Sequence, residues 1–459
     1  MLKRGSYPVK VMGRHILIIS PGDVGRYMSA PGIRAFHMAQ VLAQRLPQDH
    51  ITLAAPRVDV QVPGFPARVS ALSYTAEPLL PAAQEADIII ANFLPVRLIP
   101  LVREKLLVVD LFAQYFAEWM ELTLHEHQGL GRHLSWLERR AYIALQLALA
   151  DMVMCSNERQ RQSYIGALAS MGLRKPVVVA LHGIRPDPPV KRRAVLKGVR
   201  PGIAPTDKVL IWNGGTTDWY DPDSFLLALH TIAQRRGDVK AVFLGATYPN
   251  VPRLGWGKRF RSALEAAHQL GLYGATVFFQ FGWVPYDEVP DYLLEAEAGV
   301  CTYMYHLETY YSLRTRFMDL FWAGLPIICT RGDFLADLIE REGLGIAVPP
   351  GNHKALAEAI LRLLDDDSLR SRMRQNIQRV RERFSWEKTL EPLIQFCRNV
   401  SLPKRPRNRR VLLRALPWAV NYLATRSLRE MLRGEEVWVL HRVRRVATRL
   451  GRLLEGERP

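Results

Sequence analysis

Short apolar runs alternate with helical stretches along most of this chain, and that alternation constrains its fold more than any other feature. In the first half the candidate strands are His15–Ser20, His50–Ala55, Asp87–Asn92, Leu106–Asp110, Met152–Ser156 and Val177–Leu181. In the second half they are Val209–Trp212, Lys240–Leu244, Val277–Phe281, Gly299–Tyr303, Pro326–Cys329 and Leu344–Val348. Strands that alternate with helices build parallel βαβ units and doubly wound sheets. Residues 186–205, rich in Pro, Lys and Arg, interrupt the series and read as a linker. The sequence therefore predicts an α/β chain of two Rossmann-like domains, 14–185 and 206–384. A length of 459 residues accommodates both. Ligands of such sheets bind at the carboxyl ends of strands, so the loops after Ser20, Asp110 and Leu181 are the ones to inspect.

One segment carries most of the chemistry. Residues 306–333 hold Glu308, Arg314, Arg316 and Asp319, then close through Ala323-Gly324-Leu325-Pro326 into the apolar run Ile327-Ile328-Cys329. Leu313, Phe317, Leu320 and Phe321 recur at helical spacing, which predicts a helix from Ser312 to Ala323 with one buried face. Ser312 suits its N-cap and Gly324 its C′ stop, with Pro326 just beyond. A helix N-terminus flanked by arginines suits a doubly charged diphosphate.

This segment resembles the nucleotide-sugar-binding helix of GT-B glycosyltransferases, in particular the large retaining family of bacterial cell-surface glycan transferases (family 4 type). In that family two glutamates stand with seven residues between them, the second followed by Ala-Met-Ala-x-Gly-x-Pro-Val. Counted back from Gly324, Asp319 falls on the second glutamate, which binds the donor ribose. The first falls on Tyr311, which has no carboxylate, and Glu308 is the nearest substitute, for sugar hydroxyls or the developing oxocarbenium charge. The family's Gly-Arg loop and Lys-Gly pair, which grip the diphosphate, are replaced by Asn213-Gly214-Gly215 without a cation. That assigns the diphosphate to Arg314 and Arg316, with Ser312 and the backbone N–H groups of Gly25, Gly214 and Gly215. Trp283 and Val284 stand where the family's donor base lies, and Asp110 at a strand end that carries catalytic or acceptor groups. The resemblance also implies a cleft between the domains and a last helix, 385–400, crossing back onto the first. It implies a nucleotide-diphospho-sugar donor and no cofactor or metal.

Blander readings compete at several of these positions. Asp110 also suits a helix cap or ion pair, Gly25 a plain turn and Trp283 core packing; Arg34 suits a phosphate or acceptor contact or the surface, and His182, where the family often has Asn, hinge packing. Asp221 and Asp223 spell D-x-D, a metal motif in a different transferase fold, but an Asp before Phe225-Leu226-Leu227 is also an ordinary helix cap. His125 and His127 are two apart and share no helix face with each other, which favours a solvated surface over metal. Cys155, Cys301, Cys329 and Cys397 show no metal spacing and read as buried thiols in a reducing cytoplasm.

The charge is uneven. Residues 402–459 hold fifteen Lys/Arg against five Glu, so +10 of the chain's +18 lies in this tail. Val437 to Leu454 places Leu440, Val443, Ala447, Leu450 and Leu454 on one stripe, with arginines largely off it. Upstream, Lys404 to Arg410 is polybasic and Val411 to Leu423 apolar. A basic amphipathic helical tail over 401–459 suits an anionic membrane surface, with a protein partner as the main rival; no nucleic-acid motif is present. No secretory signal is read, and the apolar stretch Ala141–Ala150 is too short to span a bilayer. Together these features predict a cytoplasmic, peripheral glycosyltransferase acting on a growing glycan or glycolipid. A non-catalytic subunit recruiting partners through the tail is the alternative, and a nucleotide-sugar epimerase a further one.

Overall fold

A computed structural model describes residues 13–126, 129–217, 219–245, 258–400 and 409–432. Seven parallel strands form the first sheet: β1 (His15–Ile19), β2 (His50–Ala55), β3 (Val69–Ser73), β4 (Ile88–Ala91), β5 (Leu106–Asp110), β6 (Met152–Cys155) and β7 (Val177–Val179). Their order is β3-β2-β1-β4-β5-β6-β7. The second sheet comprises β8 (Lys208–Trp212), β9 (Val239–Phe243), β10 (Val277–Phe279), β11 (Ala298–Cys301), β12 (Ile327–Thr330) and β13 (Gly345–Val348). Its order is β10-β9-β8-β11-β12-β13, again parallel. In each sheet the order reverses beside the first strand, between β1 and β4 and between β8 and β11. A reversal of this kind opens a crevice at the carboxyl ends of the strands.

The strands are buried on both faces, which is why they read as unbroken apolar runs. In β1, Ile16 and Ile18 face the helix Ala30–Arg45, while Leu17 and Ile19 face the layer that contains the helix Gly129–Leu149. The unforeseen strand β3 lies at the sheet edge with half-exposed residues, so its sequence Val-Ser-Ala-Leu-Ser carries little apolar signal.

Two segments depart from expectation. Residues 186–205 are not a free linker: the backbone N–H groups of Arg192, Leu196 and Lys197 bond to Asp291 and Glu295 of the second domain. Leu196 and Ile203 join that domain's core. In the tail, the helix Arg409–Leu432 lies against Gly129–Leu149 of the first domain. Ala415 and Ala419 enter the first core, Tyr422 stacks on Tyr142 at 5.0 Å, and Arg429 meets Glu138 at 2.9 Å. One face of the apolar stretch expected for a membrane is therefore covered by protein, while Leu413, Val420, Leu428 and Met431 stay exposed. The stripe from Val437 to Leu454 and the polybasic run at 404–408 lie outside the described residues. Among those described, no helix is long and apolar enough to cross a membrane.

The chain passes between the domains at two adjoining points. Ile184 N donates to Phe384 O at 2.8 Å, and Ile184 pairs with Ser385 as a parallel bridge. Beyond it Trp386, Leu390, Leu393, Ile394 and Cys397 are buried against the first domain. Position 183 must be glycine, because a Cβ there would sit 2.4 Å from the Trp386 ring.

Candidate active site

The domains face each other across a cavity of about 540 Å³. The second domain contributes the loop after β8. Gly214 in that loop has φ +96°, a backbone region that favours glycine. Arg316 Nη2 donates to Gly215 O at 2.6 Å, and its guanidinium lies 4.0 Å over the Tyr220 ring and 5.5 Å over Trp212. These contacts fix the side chain, yet Nη1 is buried with no hydrogen-bond partner. A buried, unmatched cationic donor costs free energy unless something fills it. Asp319, one turn further along, accepts from Asn213 Nδ2 at 3.2 Å and lies 3.7 Å from Arg185 Nη2. Trp283 and Val284 also line the cavity; Trp283 packs on Gly245 and its Nε1 donates to Met28 O of the first domain at 3.1 Å.

Three assignments in the Arg/Glu segment need correction. Ser312 is no N-cap: it follows the short helix Leu307–Tyr311, and the next helix, Arg316–Trp322, begins after Thr315. The stop is as read, with Gly324 at φ +68°. The break between the helices arises because Arg314 turns inward. Its Nη1 and Nη2 donate to both Glu308 oxygens at 3.0 and 2.8 Å, and its guanidinium packs over Tyr303 and Tyr220. Asp333 Oδ2 lies 3.8 Å from Arg314 Nε. Burial pushes the Asp333 carboxyl up to about 6 despite the nearby guanidinium. Arg314 is therefore neutralised inside the second domain, not presented to a diphosphate, and Glu308 is its counter-ion. Ser312, Glu308 and Arg314 border a side cavity of about 140 Å³ beside the main one.

In the first domain Asp110 is a structural anion. Arg34 bonds both its oxygens at 2.6 and 2.8 Å and also donates to Ala180 O and Leu181 O, so this pair ties β5 to the end of β7 below the cleft. Gly25 lies beside Asp59, next to a Val24–Val58 bridge, and is not among the cavity-lining residues; Pro21, Met28 and Ser29 of the same loop are, with Ala30 and Pro31 at the start of the helix that follows. His182 packs edge-on against Trp386, and burial drives its pKa well below the usual imidazole value, as expected of a hinge residue. Asp221 caps the helix Pro222–Ala233 through Ser224 N at 3.1 Å, and Asp223 pairs with Arg259. The capping reading of the D-x-D thus holds.

Two charged residues of the described cavity lining, Arg185 and Glu118, escaped the sequence reading. Arg185 lies between Tyr286 and Trp322, 3.7 and 4.4 Å from their rings, with its Nε buried and unpartnered. Glu118, on the helix Tyr115–Glu126, lines both cavities, and its carboxyl has no hydrogen bond or ion pair among the described residues. Neither residue sits in a motif. Glu118 is a lone acid between Tyr115 and Trp119, and Arg185 is one cation among many near the break between domains.

Comparison with known proteins agrees with this geometry. Residues 199–380 match the family model for group 1 glycosyl transferases. Among solved structures, WaaG, a glycosyltransferase involved in lipopolysaccharide biosynthesis, superposes with a TM-score of 0.58 at 15% identity, covering 84% of this chain and 100% of its own. Anabaena HepE, solved in complex with UDP-glucose, gives 0.58 at 16% identity, with 84% and 100% covered. Sucrose-phosphate synthase from Thermosynechococcus elongatus gives 0.56 at 16%, with 84% and 98% covered. No curated protein matches the chain by sequence. At such identities the structural likeness shows the fold, and the family match concerns residues 199–380. The chain thus has the two-domain fold of these glycosyltransferases, and its residues 199–380 match the group 1 glycosyl transferase family.

Proposed function

We propose that the cleft transfers a sugar from a nucleotide-diphospho-sugar to a hydroxyl of a growing glycan or glycolipid, with the anomeric configuration retained. The observation that carries the donor reading is Arg316, held by Gly215 O and Tyr220 with one buried Nη1 unsatisfied. A diphosphate oxygen satisfies that donor, and the Gly214 and Gly215 backbone lets a ligand approach closely. As charge builds on the leaving diphosphate, a fixed guanidinium stabilises it without reorganisation, so the step needs no metal. Asp319 takes the ribose hydroxyls, with its carboxylate aimed by Asn213 and Arg185. Trp283 and Val284 flank the base. HepE, of the same fold, was solved with UDP-glucose, which supports a nucleotide-sugar donor. Retention rests on the family resemblance of residues 306–333. The tail's +10 charge supports work beside an anionic membrane on the cytoplasmic side.

Calorimetric titration of UDP, GDP and ADP into wild-type protein and Arg316→Ala tests the donor reading: one diphosphate binds the wild type, and the variant loses most of that affinity. Equal affinity in both proteins removes Arg316 from the site. The anomeric configuration of the product, read by proton NMR, tests retention.

A further inference from the structure

Among the described residues Glu118 is the one acidic side chain of the first domain that lines both cavities. The second domain brings the Arg316 and Gly214–Gly215 diphosphate cradle to the main cavity and the neutralised Glu308–Arg314 pair to the side cavity. The two cavities share Phe112, Glu118, Tyr220 and Thr315 in their lining, Thr315 being the neighbour of Arg316, so the space Glu118 borders adjoins a diphosphate held at Arg316. We propose that Glu118 is the donor-sugar recognition residue of the first domain, giving its carboxyl proton to one sugar hydroxyl and accepting from another. The inference rests on the donor reading above.

The surroundings keep this carboxyl neutral. Burial, then the Glu308 carboxylate across the cleft, push Glu118 up to about 8, while Arg314 and Arg139 act in the opposite direction. The other titratable groups acting with it are Tyr115 on its own helix and Tyr164, both held un-ionised by burial. Glu308 contributes repulsion but cannot substitute for Glu118, because both its oxygens are taken by Arg314. A neutral carboxyl offers one O–H donor and one carbonyl acceptor, which matches two adjacent hydroxyls of a sugar ring. Its ionised form offers no donor. The donated half of the contact is thus present while the pH lies below about 8 and is lost above it, leaving a carboxylate that only accepts.

The test separates sugar from nucleotide. UDP-glucose, GDP-mannose and ADP-glucose, each beside its free nucleoside diphosphate, are titrated into full-length wild type, Glu118→Gln and Glu118→Ala from pH 6 to 9.5. The ratio of the two affinities isolates the sugar contact. In the wild type this ratio falls on the order of tenfold across the alkaline limb, the size of one net hydrogen bond. Glu118→Ala shows the low ratio at every pH. Glu118→Gln, which keeps a donor and an acceptor without a proton to lose, holds the higher ratio throughout. Free diphosphates that bind while all three proteins give one ratio overturn this inference and leave the donor reading standing. Failure of every nucleotide to bind the wild type overturns the donor reading itself.

Discussion

Glu308 and Arg314, six residues apart, close on each other in a buried two-point ion pair at 3.0 and 2.8 Å, and the chain bends around that pair. The intervening residues cannot form one continuous helix with Arg316–Trp322 while Arg314 points inward. Arg316 is left at the start of a separate helix, facing the cleft.

Breaking the pair should cost stability before it costs chemistry. Removing one partner of a buried ion pair strands the other charge, at about 3–5 kcal/mol. Arg314→Ala and Glu308→Ala are each expected to lower the first thermal transition clearly. The double variant Glu308→Leu/Arg314→Met should lose less than the two single losses combined. Additive losses measured by denaturant unfolding would contradict the pairing.

Arg316→Ala should show the opposite profile. Its loss removes a charge-assisted contact to phosphate, worth about 1.5–3 kcal/mol, while melting falls less than in the ion-pair variants, because only the Gly215 O bond and the packing on Tyr220 are lost and no buried charge is stranded. Matched calorimetry and thermal-shift curves decide between binding and folding effects.

Metal dependence follows from Asp221 and Asp223. Asp221 caps a helix and Asp223 faces Arg259 across an exposed pair at 3.2 Å. Asp223→Ala should change turnover little, and stability by less than about 1 kcal/mol. Activity lost with EDTA and regained with Mg²⁺ or Mn²⁺ would reinstate a metal.

Truncation of the tail should act in two stages. Ending the chain after Leu432 keeps the helix that covers Gly129–Leu149 and should leave melting unchanged, while salt-sensitive binding to anionic vesicles falls. Ending it after Val400 uncovers Tyr142 and the Ala415–Ala419 contact surface and should lower the melting temperature. Equal vesicle sedimentation by the full chain and the Leu432 truncation would remove lipid binding from residues 433–459.

The strands were legible because parallel sheets buried on both faces leave uninterrupted Ile, Val and Leu runs; β2 and β5 are bounded as their sequences suggest. β3, half-exposed at an edge, was not. Arg316 and Asp319, read from the 306–333 segment, and Gly214 and Gly215, read from the loop before Trp219, all line the cleft. Arg314 and Asp110 were misassigned for one reason. Sequence marks a charge near a ligand loop but not its counter-ion, and the partners Glu308 and Arg34 consume them. Glu118 was missed because its meaning comes from residues nearly two hundred positions away, across a cleft that exists only after both domains fold.

The paired crossings at Ile184 and Phe384–Ser385 limit how the enzyme can breathe. Two chain segments bonded side by side resist shear and sliding, so the remaining soft motion is a swing about their common line. Far from that axis, Asn157 and Gln160 of the first domain clasp Tyr311 O, and Arg159 reaches Tyr310 O and Gly332 O. The molecule works like a book with a stiff spine and a clasp on its fore-edge. That clasp holds the helix Leu307–Tyr311, whose neighbour Arg316–Trp322 carries Arg316, so a swing that undid it would also move the side chain proposed to hold the diphosphate.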